Sequence, residues 1–516
     1  MTGKTADEIR AEYNRAVAYN TSLDLYEQIK KNENFFIGRQ WEGLNAPDLP
    51  KPVVNVLKRV VSYFISMIVS DDIGISMTPF AGGAQGEIAA RVTESETQRV
   101  FERMNLKSIL RDCIRNAAVD GDACLYFYFD PELETGQMVK GDVACELIDN
   151  TNVYFGNPYS WEVQRQPYLL LARRKSVEAV REYARGKGLS KGEIENIRPD
   201  GDTNEYTVND MRSESLVTVI TKLWKENGTV RATEVANDVI LRPEWDLQYR
   251  LYPVAYMSWD RIKNSYHGRA AITGLIPNQI AINQLFAMGI HSVKTNAFPR
   301  IFYDGTKIKE WSNRIGQAIK TAGDPNQAIA TNWRGADMSG QVMQLIEALI
   351  QKTLEFMGAS DSALGNVDPK NTSAIIATQK ASAMPLELQK MAFYQFVEDG
   401  VRVMIDVMSC DYGQRECIFE QDGQKIYLPF DFSSIQGANF RLNVDIGEAS
   451  YWAETVQLQT MDNLFQKGVI QDAVTYLESI PDHYIRGKGK IIEALKRQQA
   501  APAMQTQMHQ QAMQQG

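Results

Sequence analysis

Two long helical patterns in the second half of the chain enclose a short segment, and this arrangement limits the fold more than any other feature. The first pattern begins near Gly268 and places apolar residues on one helical face at spacings of three, four and seven: Leu275, Ile282, Phe286, Ile290 and Val293. The second pattern runs from Ser339 to Met357 and also has one apolar face. We expect these helices to run antiparallel and to hold the enclosed segment at their far end.

The enclosed segment is predicted to be a small α/β unit. Short strands are expected at Arg300–Tyr303 and Ala328–Trp333, with a helix at Ile308–Thr321 between them. A two-stranded sheet is only marginally stable by itself. We therefore expect it to gain strands from a neighbouring copy by edge pairing. Such head-to-tail contact closes into a ring when the rotation between copies permits.

A loop and a third long helix follow. Residues 358–371 lack periodicity and form a connection longer than usual, which makes this loop a candidate for function. Thr372 or Ser373 is expected to cap a helix that runs to about Met408. A kink is predicted at Pro385, because proline interrupts helical hydrogen bonding.

The first half of the chain has a different pattern of residues, with strand-like segments between helical ones. Residues 1–260 are predicted to form a large α+β region, in which Gly74–Gly86 is a loop. The aromatic run Ala123–Phe129 favours a core strand over a base-stacking platform. Asn227-Gly228 lies between two strand-like runs and predicts a hairpin. The predicted fold class is therefore α+β and predominantly helical.

Charge limits the kinds of partner. The chain has 516 residues and a net charge of −9, with a pI of about 5.3. This acidity argues against tight, sequence-specific DNA binding over the whole surface. Residues 268–358 carry nine Lys/Arg against six Asp/Glu, which gives +3 there and −12 elsewhere. The contrast fits DNA facing this part of the chain, although ordinary solvated charges explain it equally simply.

Residue patterns for catalysis and metal binding are incomplete. Gly3-Lys4-Thr5 lacks the remainder of a phosphate-binding loop. Asp71-Asp72 and Asp120/Asp122 are carboxylates that a nuclease metal would use, but turn formation explains Asp120-Gly121-Asp122 better. His267 has no partner visible in the sequence, so a structural role is expected. We predict no catalytic residue, no metal site, no cofactor and no enzyme activity.

The cysteines and the N-terminus indicate the compartment. The chain has five cysteines, an odd number, and none of them shows C-x-x-C spacing. This argues against a disulfide framework and favours a reducing cytoplasm. The N-terminus is polar and has no signal-peptide pattern. The most apolar run, Val60–Val69, is too short to cross a bilayer.

Several strings, taken in order, resemble the portal proteins of tailed bacteriophages, the head-to-tail connector family. They are FFIGRQW (Phe35–Trp41), NVLKRVVSYFISMIVSD (Asn55–Asp71), GDVACELIDNTNVYFGNP (Gly141–Pro158) and YPVAYMSWDRIKNSYHGRAAITGLIPNQIAINQ (Tyr252–Gln284). The first three resemble the family's wing, and the last resembles the passage from the wing into the first stem helix. The resemblance covers nearly the whole chain, and the order and spacing of the strings carry it.

The resemblance implies a division of the chain into named parts. In order, these are a wing (1–266), stem helix 1 (267–296), a clip (297–338), stem helix 2 (339–357), a tunnel loop (358–371), a long helix behind that loop (372–411), a wing β segment (412–450), a helical crown (451–498) and a Gln/Met-rich tail (499–516). Whether the tail is disordered or forms a partner helix is left open.

The same resemblance implies a function without catalysis. The family forms a dodecameric ring at one capsid vertex and conducts double-stranded DNA, without sequence specificity, during packaging and ejection. Its partners are the terminase large subunit, the head–tail adaptor, and the major capsid and scaffolding proteins, and it can nucleate procapsid assembly. We therefore expect a virion protein of the portal vertex, present in the host cytoplasm during assembly, with no membrane partner.

Candidate site residues follow from the resemblance together with the basic residues. The candidates for contact with DNA lie in the tunnel loop: Lys370, Asn366 and Asn371. The candidates for the terminase or adaptor interface lie in the clip: Lys307, Lys309, Arg314, Lys320 and Arg334.

Two other classes of function stay open. One is a phage packaging enzyme, such as a terminase-like ATPase or nuclease, which an ATPase assay separates from a portal. The other is a minor capsid or tail structural protein. Imaging discriminates here, because only a portal is expected to form a ring with a DNA-sized hole.

Overall fold

The computed structural model describes residues 5–495 with gaps at 46, 48, 70–72, 81–82, 136–138, 202–214, 298–299, 312–318, 325, 327–329, 334–339, 360–383, 422–423, 438–439, 447–450, 471, 481–484, 486–487 and 493. The structure is mixed, with 51% helix and 23% strand. This composition is compatible with the predicted α+β class.

The helices and strands alternate irregularly along the chain. The α-helices are α1 (Ala6–Ser22), α2 (Leu25–Ile37), α3 (Val56–Ile68), α4 (Ala84–Arg103), α5 (Leu106–Asp120), α6 (Val177–Gly186), α7 (Lys191–Asn196), α8 (Ile276–Ala297), α9 (Gly340–Phe356), α10 (Glu387–Asp411), α11 (Tyr451–Gln466) and α12 (Ala473–Ser479). The strands are β1 (Ile73–Pro79), β2 (Asp122–Asp130), β3 (Asp142–Ile148), β4 (Val153–Phe155), β5 (Tyr168–Ser176), β6 (Leu216–Glu226), β7 (Thr229–Ala236), β8 (Val239–Asp246), β9 (Val254–Ser258), β10 (Asp260–Arg261), β11 (Gly268–Arg269), β12 (Arg300–Tyr303), β13 (Ala330–Trp333), β14 (Gln414–Gln421), β15 (Gln424–Asp431) and β16 (Phe440–Ile446).

The largest core forms around a three-stranded antiparallel sheet in the order β3-β2-β9. Helix α10 packs on β2 and β9, and α5 packs on β2. A Cβ at Gly400 of α10 would lie 3.2 Å from the ring of Phe127, so glycine allows this close approach of helix to sheet. The predicted strand at Ala123–Phe129 is confirmed as the centre of this sheet.

A second antiparallel sheet has the order β4-β5-β6-β7-β8. Its hairpin between β6 and β7 turns at Asn227 (φ 54°) and Gly228 (φ 87°), as the sequence predicts. Both positive φ angles belong to the tight turn that Asn-Gly favours. The buried Lys222 of β6 pairs with Glu12, which attaches helix α1 to this sheet.

One pairing joins distant parts of the chain. Strand β1 pairs antiparallel with β16, from Ile73 opposite Ile446 to Pro79 opposite Phe440. The prediction of a loop over Gly74–Gly86 is therefore wrong for its first half. The partner strand lies hundreds of residues away, where local turn signals carry no information about it.

The chain divides into two compact units. The first contains Met1–Val69, Ile73–Pro369 and Thr378–Ile446, and the second contains Ser70–Asp72, Lys370–Ala377 and Gly447–Gly516. Within the second unit, the Asp472 side chain caps α12, and the Phe465 ring of α11 stacks on Tyr476 of α12 at 4.5 Å. The helices of the expected crown thus pack on each other.

The five cysteines all lie in described parts of the chain, and all are free thiols. Burial raises the pKa of Cys145 to about 11 and that of Cys417 to about 12, so these thiols stay protonated at neutral pH. Among the helices that the structure describes, none has both the length and the apolar character needed to cross a bilayer.

Candidate assembly and DNA-facing surface

Helices α8 and α9 pack against each other as a hairpin that ends in a small sheet. The Asn278 side chain, near the start of α8, donates to the Thr353 hydroxyl, near the end of α9, at 3.2 Å. At the other end, Arg300 of β12 is paired with Trp333 of β13 in an antiparallel ladder. The two helices therefore run antiparallel, as the sequence predicts. Residues 276–356 are called the stem hairpin below.

Buried amides attach the first half of α8 to the N-terminal part of the chain. The Gln279 side chain donates to the Val54 carbonyl at 2.7 Å and accepts from the Val56 N–H at 3.0 Å. Asn283 lies one turn further along the same face and donates to the Gln40 side chain at 2.6 Å. Both side chains are almost fully buried. These hydrogen bonds satisfy the buried amide groups and attach this part of α8 to residues 40–56.

The distal half of the stem hairpin is uncovered within a single chain. None of the residues from Met288 to Ala297 or from Gly340 to Leu345 is buried. Val293 is 66% exposed and Leu345 is 51% exposed. Met343, two residues before Leu345 on the same helix, is exposed as well. Side chains two residues apart on a helix point in directions that differ by about 160°. Apolar surface is therefore open on more than one side of the stem hairpin.

The small sheet differs in one respect from the prediction. Strands β12 and β13 are present, but the predicted helix at Ile308–Thr321 is wrong at both ends, because Ile308 and Thr321 pair in an antiparallel bridge. A backbone bond from Ala322 N–H to the Lys307 carbonyl, at 2.8 Å, continues this pairing. Residues 312–318 lie outside the described part of the chain.

This bridge brings predicted clip cations together. Lys307 and Lys309 flank Ile308, and Lys320 precedes its partner Thr321. Lys309 and Lys320 are exposed, whereas Lys307 is half-buried. The other two candidates, Arg314 and Arg334, lie outside the described residues.

Aromatic side chains accompany these cations. The rings of Tyr303 and Trp311 stack with their centroids 5.7 Å apart, and Phe302 is exposed. Aromatic side chains are enriched at protein interfaces, and exposed lysines add a positive charge that steers acidic partners. The end of the stem hairpin thus presents aromatic and cationic side chains together, which suits contact with a partner.

The tunnel-loop candidates Lys370, Asn366 and Asn371 lie outside the described residues. The structure does describe how the chain leaves α9. Gly358 adopts a φ of 74°, and the Ala359 N–H donates to the Leu354 carbonyl at 3.0 Å. These features are those of a helix C-cap, so α9 ends where the loop is predicted to begin.

The described part of the helix after the loop begins at Glu387, and the expected start at Thr372 or Ser373 lies outside the described residues. Met384–Leu386 form a 3-10 turn, and α10 starts at Glu387. Pro385 lies within this 3-10 turn and precedes α10, so the predicted kink, which requires helix on both sides of the proline, stays a prediction. Proline is well accommodated at a helix start, where its missing N–H removes no helical hydrogen bond. The expected helical residues 372–383 lie outside the described part.

The start of α10 also carries exposed apolar side chains. Met384, Leu388 and Met391 recur at spacings of four and three and are all at least 60% exposed. The opposite side of the helix buries Phe393 and Phe396 in the core. Like the distal stem hairpin, this segment has one face that a single chain leaves uncovered.

The groups considered for other chemistry serve structural roles. The His267 Nδ1 lies 2.9 Å from an Asp122 oxygen, and its Nε2 lies 3.1 Å from the Asn20 side-chain oxygen. Asp122 also accepts the Gly268 N–H at 2.8 Å. The expected structural role of His267 is consistent with these contacts, and the partners that the sequence could not show come from α1 and β2.

Of the remaining carboxylates and the phosphate-loop fragment, the structure describes Asp120 and Thr5. Burial raises the pKa of Asp120 well above its usual value. Within the described residues, no group of three or more histidine, cysteine or acidic side chains is placed to hold a metal ion. The Thr5 side chain accepts the Glu8 N–H as the cap of α1, and Gly3, Lys4 and Asp71-Asp72 lie outside the described part.

Comparison with known proteins adds no assignment. No family model matches the chain, and no curated protein matches it.

Proposed function

We propose that this protein is a subunit of a portal ring: a non-enzymatic channel at the unique vertex of a tailed-phage capsid. The ring conducts double-stranded DNA during packaging and ejection. The end of the stem hairpin docks the terminase large subunit and later the head–tail adaptor. Capsid and scaffolding proteins contact the wing, and the ring nucleates procapsid assembly.

The observation that carries this proposal is the contrast within the stem hairpin. The first half of its helix α8 is attached by buried amides, whereas the distal half of the hairpin exposes apolar side chains on more than one side. A two-fold dimer uses the same patch on both subunits, but a ring uses two different patches on each subunit. Apolar surface on several sides of one hairpin favours the ring.

The small sheet supports the same arrangement. Strands β12 and β13 pair only with each other among the described residues, over four residues each. A sheet of this size is marginal in isolation. Strand addition from the neighbouring copy would satisfy its open edges. Exposed lysines such as Lys309 and Lys320 would then be repeated around the ring, near the path of the DNA.

The proposal is tested by imaging and by one class of substitution. The purified chain is expected to form rings with an axial opening wide enough for a DNA duplex, visible by negative-stain microscopy and by mass photometry. Leu345→Asp and Val293→Asp place a charge on the exposed apolar surface and are expected to yield single subunits with an unchanged circular dichroism spectrum.

Val139→Asp is the matched control, because Val139 is an exposed apolar residue in the loop between β2 and β3. It is expected to leave the ring intact. A wild-type protein that stays a single subunit within virions, or that assembles without an axial opening, would overturn the proposal. ATP hydrolysis by the purified chain would favour the packaging-enzyme alternative instead.

A further inference from the structure

A second surface of the chain, separate from the stem hairpin, presents exposed aromatic side chains beside cations. It is formed by the loop 157–165 and by the turn between β10 and β11. Tyr159 is 67% exposed, Trp161 is 46% exposed and Ile262 is 48% exposed. We call this the aromatic–cationic surface and define it by seven residues: Tyr159, Trp161, Arg165, Arg261, Ile262, Lys263 and Arg269.

The loop that carries the aromatic residues is held in one conformation. The buried Gln166 side chain accepts the Asn157 N–H at 2.9 Å and donates to the Ser160 carbonyl at 2.8 Å. The Tyr266 N–H donates to the Pro158 carbonyl at 3.1 Å, which joins the loop to the neighbouring turn. Side chains held in place before binding lose little conformational entropy when a partner docks.

The charges around the aromatic residues are predominantly positive. The Arg261 guanidinium lies over the Trp161 ring, 3.6 Å from its centroid. The surface exposes Arg165, Arg261, Lys263 and Arg269, against the acidic side chains of Glu162 and Asp260. This leaves a local surplus of two positive charges on a chain whose net charge is −9. Such a local reversal of sign attracts acidic partners.

We propose that the aromatic–cationic surface binds an acidic polypeptide segment of another protein, with apolar side chains that pack on its exposed Tyr159 and Ile262. Tyrosine, tryptophan and arginine dominate the binding energy of protein interfaces, and all three are clustered here. Carboxylates of the segment would pair with Arg261 and the exposed Lys263, since Arg165 already lies 3.1 Å from a Glu162 oxygen. Within this surface, the arginine over Trp161 supplies both an apolar plane and a charge.

A nucleic acid fits these observations less well. Binding to a phosphate backbone gains strength from the number of phosphates that are neutralised, and a surplus of two charges neutralises few. Arg261 covers one face of Trp161, which leaves at most one face of the ring for stacking on a base. The inference concerns the single chain and does not depend on the ring.

The test selects ligands without assuming their identity. A displayed library of random short peptides is panned against the purified full chain, and the enriched peptides are measured by fluorescence anisotropy. We expect enriched sequences that combine Asp or Glu with Leu, Phe or Trp. Trp161→Ala and Arg261→Glu are each expected to weaken their binding roughly tenfold or more, as is typical when a dominant interface residue is lost.

Lys187→Glu is the matched control, because Lys187 also lies over an exposed aromatic ring, that of Tyr183, at 5.5 Å. It is expected to leave peptide binding unchanged. Folding of each variant is checked by its circular dichroism melting curve, and Lys263→Glu serves as a second charge reversal if Trp161→Ala does not fold. Peptides that are not acidic, or that bind all variants equally, or no enriched peptide at all, would overturn the inference.

Two further measurements test whether the aromatic–cationic surface binds DNA or a second copy of the chain instead of an acidic peptide. If the variants weaken binding of a short labelled DNA duplex and no acidic peptide binds, the surface is a nucleic-acid site and the inference is wrong. If they change the oligomeric state, the surface is a contact between copies and the inference is also wrong. A failure of ring formation in the wild type would leave the peptide result standing, so the two proposals fail separately.

Discussion

The two halves of helix α8 carry one continuous apolar stripe but lie in different environments. Ile282 in the first half is fully buried, whereas Val293 in the second half is 66% exposed, although both belong to one apolar stripe. The first half stabilises the fold of the chain. The second half offers apolar surface that only a partner can cover, so the comparison separates residues needed for folding from residues available for assembly.

The largest expected effect tests the buried half. Ile282→Ala is expected to lower the free energy of unfolding by about 2–5 kcal/mol, because it removes a fully buried side chain and leaves a cavity. Val293→Ala is expected to change it by less than about 0.5 kcal/mol. Urea denaturation in the Leu345→Asp background, where subunits are separate, measures both. Equal losses of unfolding free energy at Ile282 and Val293 would show that the two halves of α8 contribute equally to the stability of the fold.

A smaller effect is expected from the buried amides. Asn283→Ala leaves the Gln40 side chain without its donor in a buried site, which is expected to cost about 1–3 kcal/mol of unfolding free energy. Gln284→Ala is the control, since the next residue is exposed. If Asn283→Ala and Gln284→Ala have the same midpoint in urea, the amide network does not hold α8 in place.

The smallest expected effect concerns contact with DNA. Lys370 is the single basic residue of the predicted tunnel loop, and Lys370→Ala is expected to shift the amount of DNA packaged or retained per particle. Lys352→Ala is the control, because this lysine of α9 is exposed and pairs with Glu355. Unchanged packaging and retention in Lys370→Ala particles would remove the proposed role.

Several elements are readable from short stretches of sequence. The hairpin at Asn227-Gly228 is predictable because the two residues themselves favour the positive φ angles of the turn. The strands predicted at Arg300–Tyr303 and Ala328–Trp333 are present at Arg300–Tyr303 and Ala330–Trp333. The helix at Ile308–Thr321 is not correctly predicted, because the backbone pairing of Ile308 with Thr321 competes with local helical preference.

The candidate site is only partly predictable. The lysines of the stem hairpin can be named from the sequence, yet their grouping depends on the pairing of Ile308 with Thr321. The sequence pattern does not indicate the exposed stripe of Met384, Leu388 and Met391, since apolar residues at helical spacing normally predict burial. The aromatic–cationic surface is likewise invisible in the sequence, because Trp161 and Arg261 come from separate loops.

The sequence by itself determined helices α8 and α9, their antiparallel pairing around a short insert and the tight turn at Asn227-Gly228, because these depend on periodicity and on φ preferences within a few residues. Tertiary structure alone decided the pairing of β1 with β16, the partners of His267 and the burial of Gln279. Each of these joins segments far apart in the chain, and the choice among distant partners is made by packing. The same reason explains why one apolar stripe on α8 is half buried and half exposed.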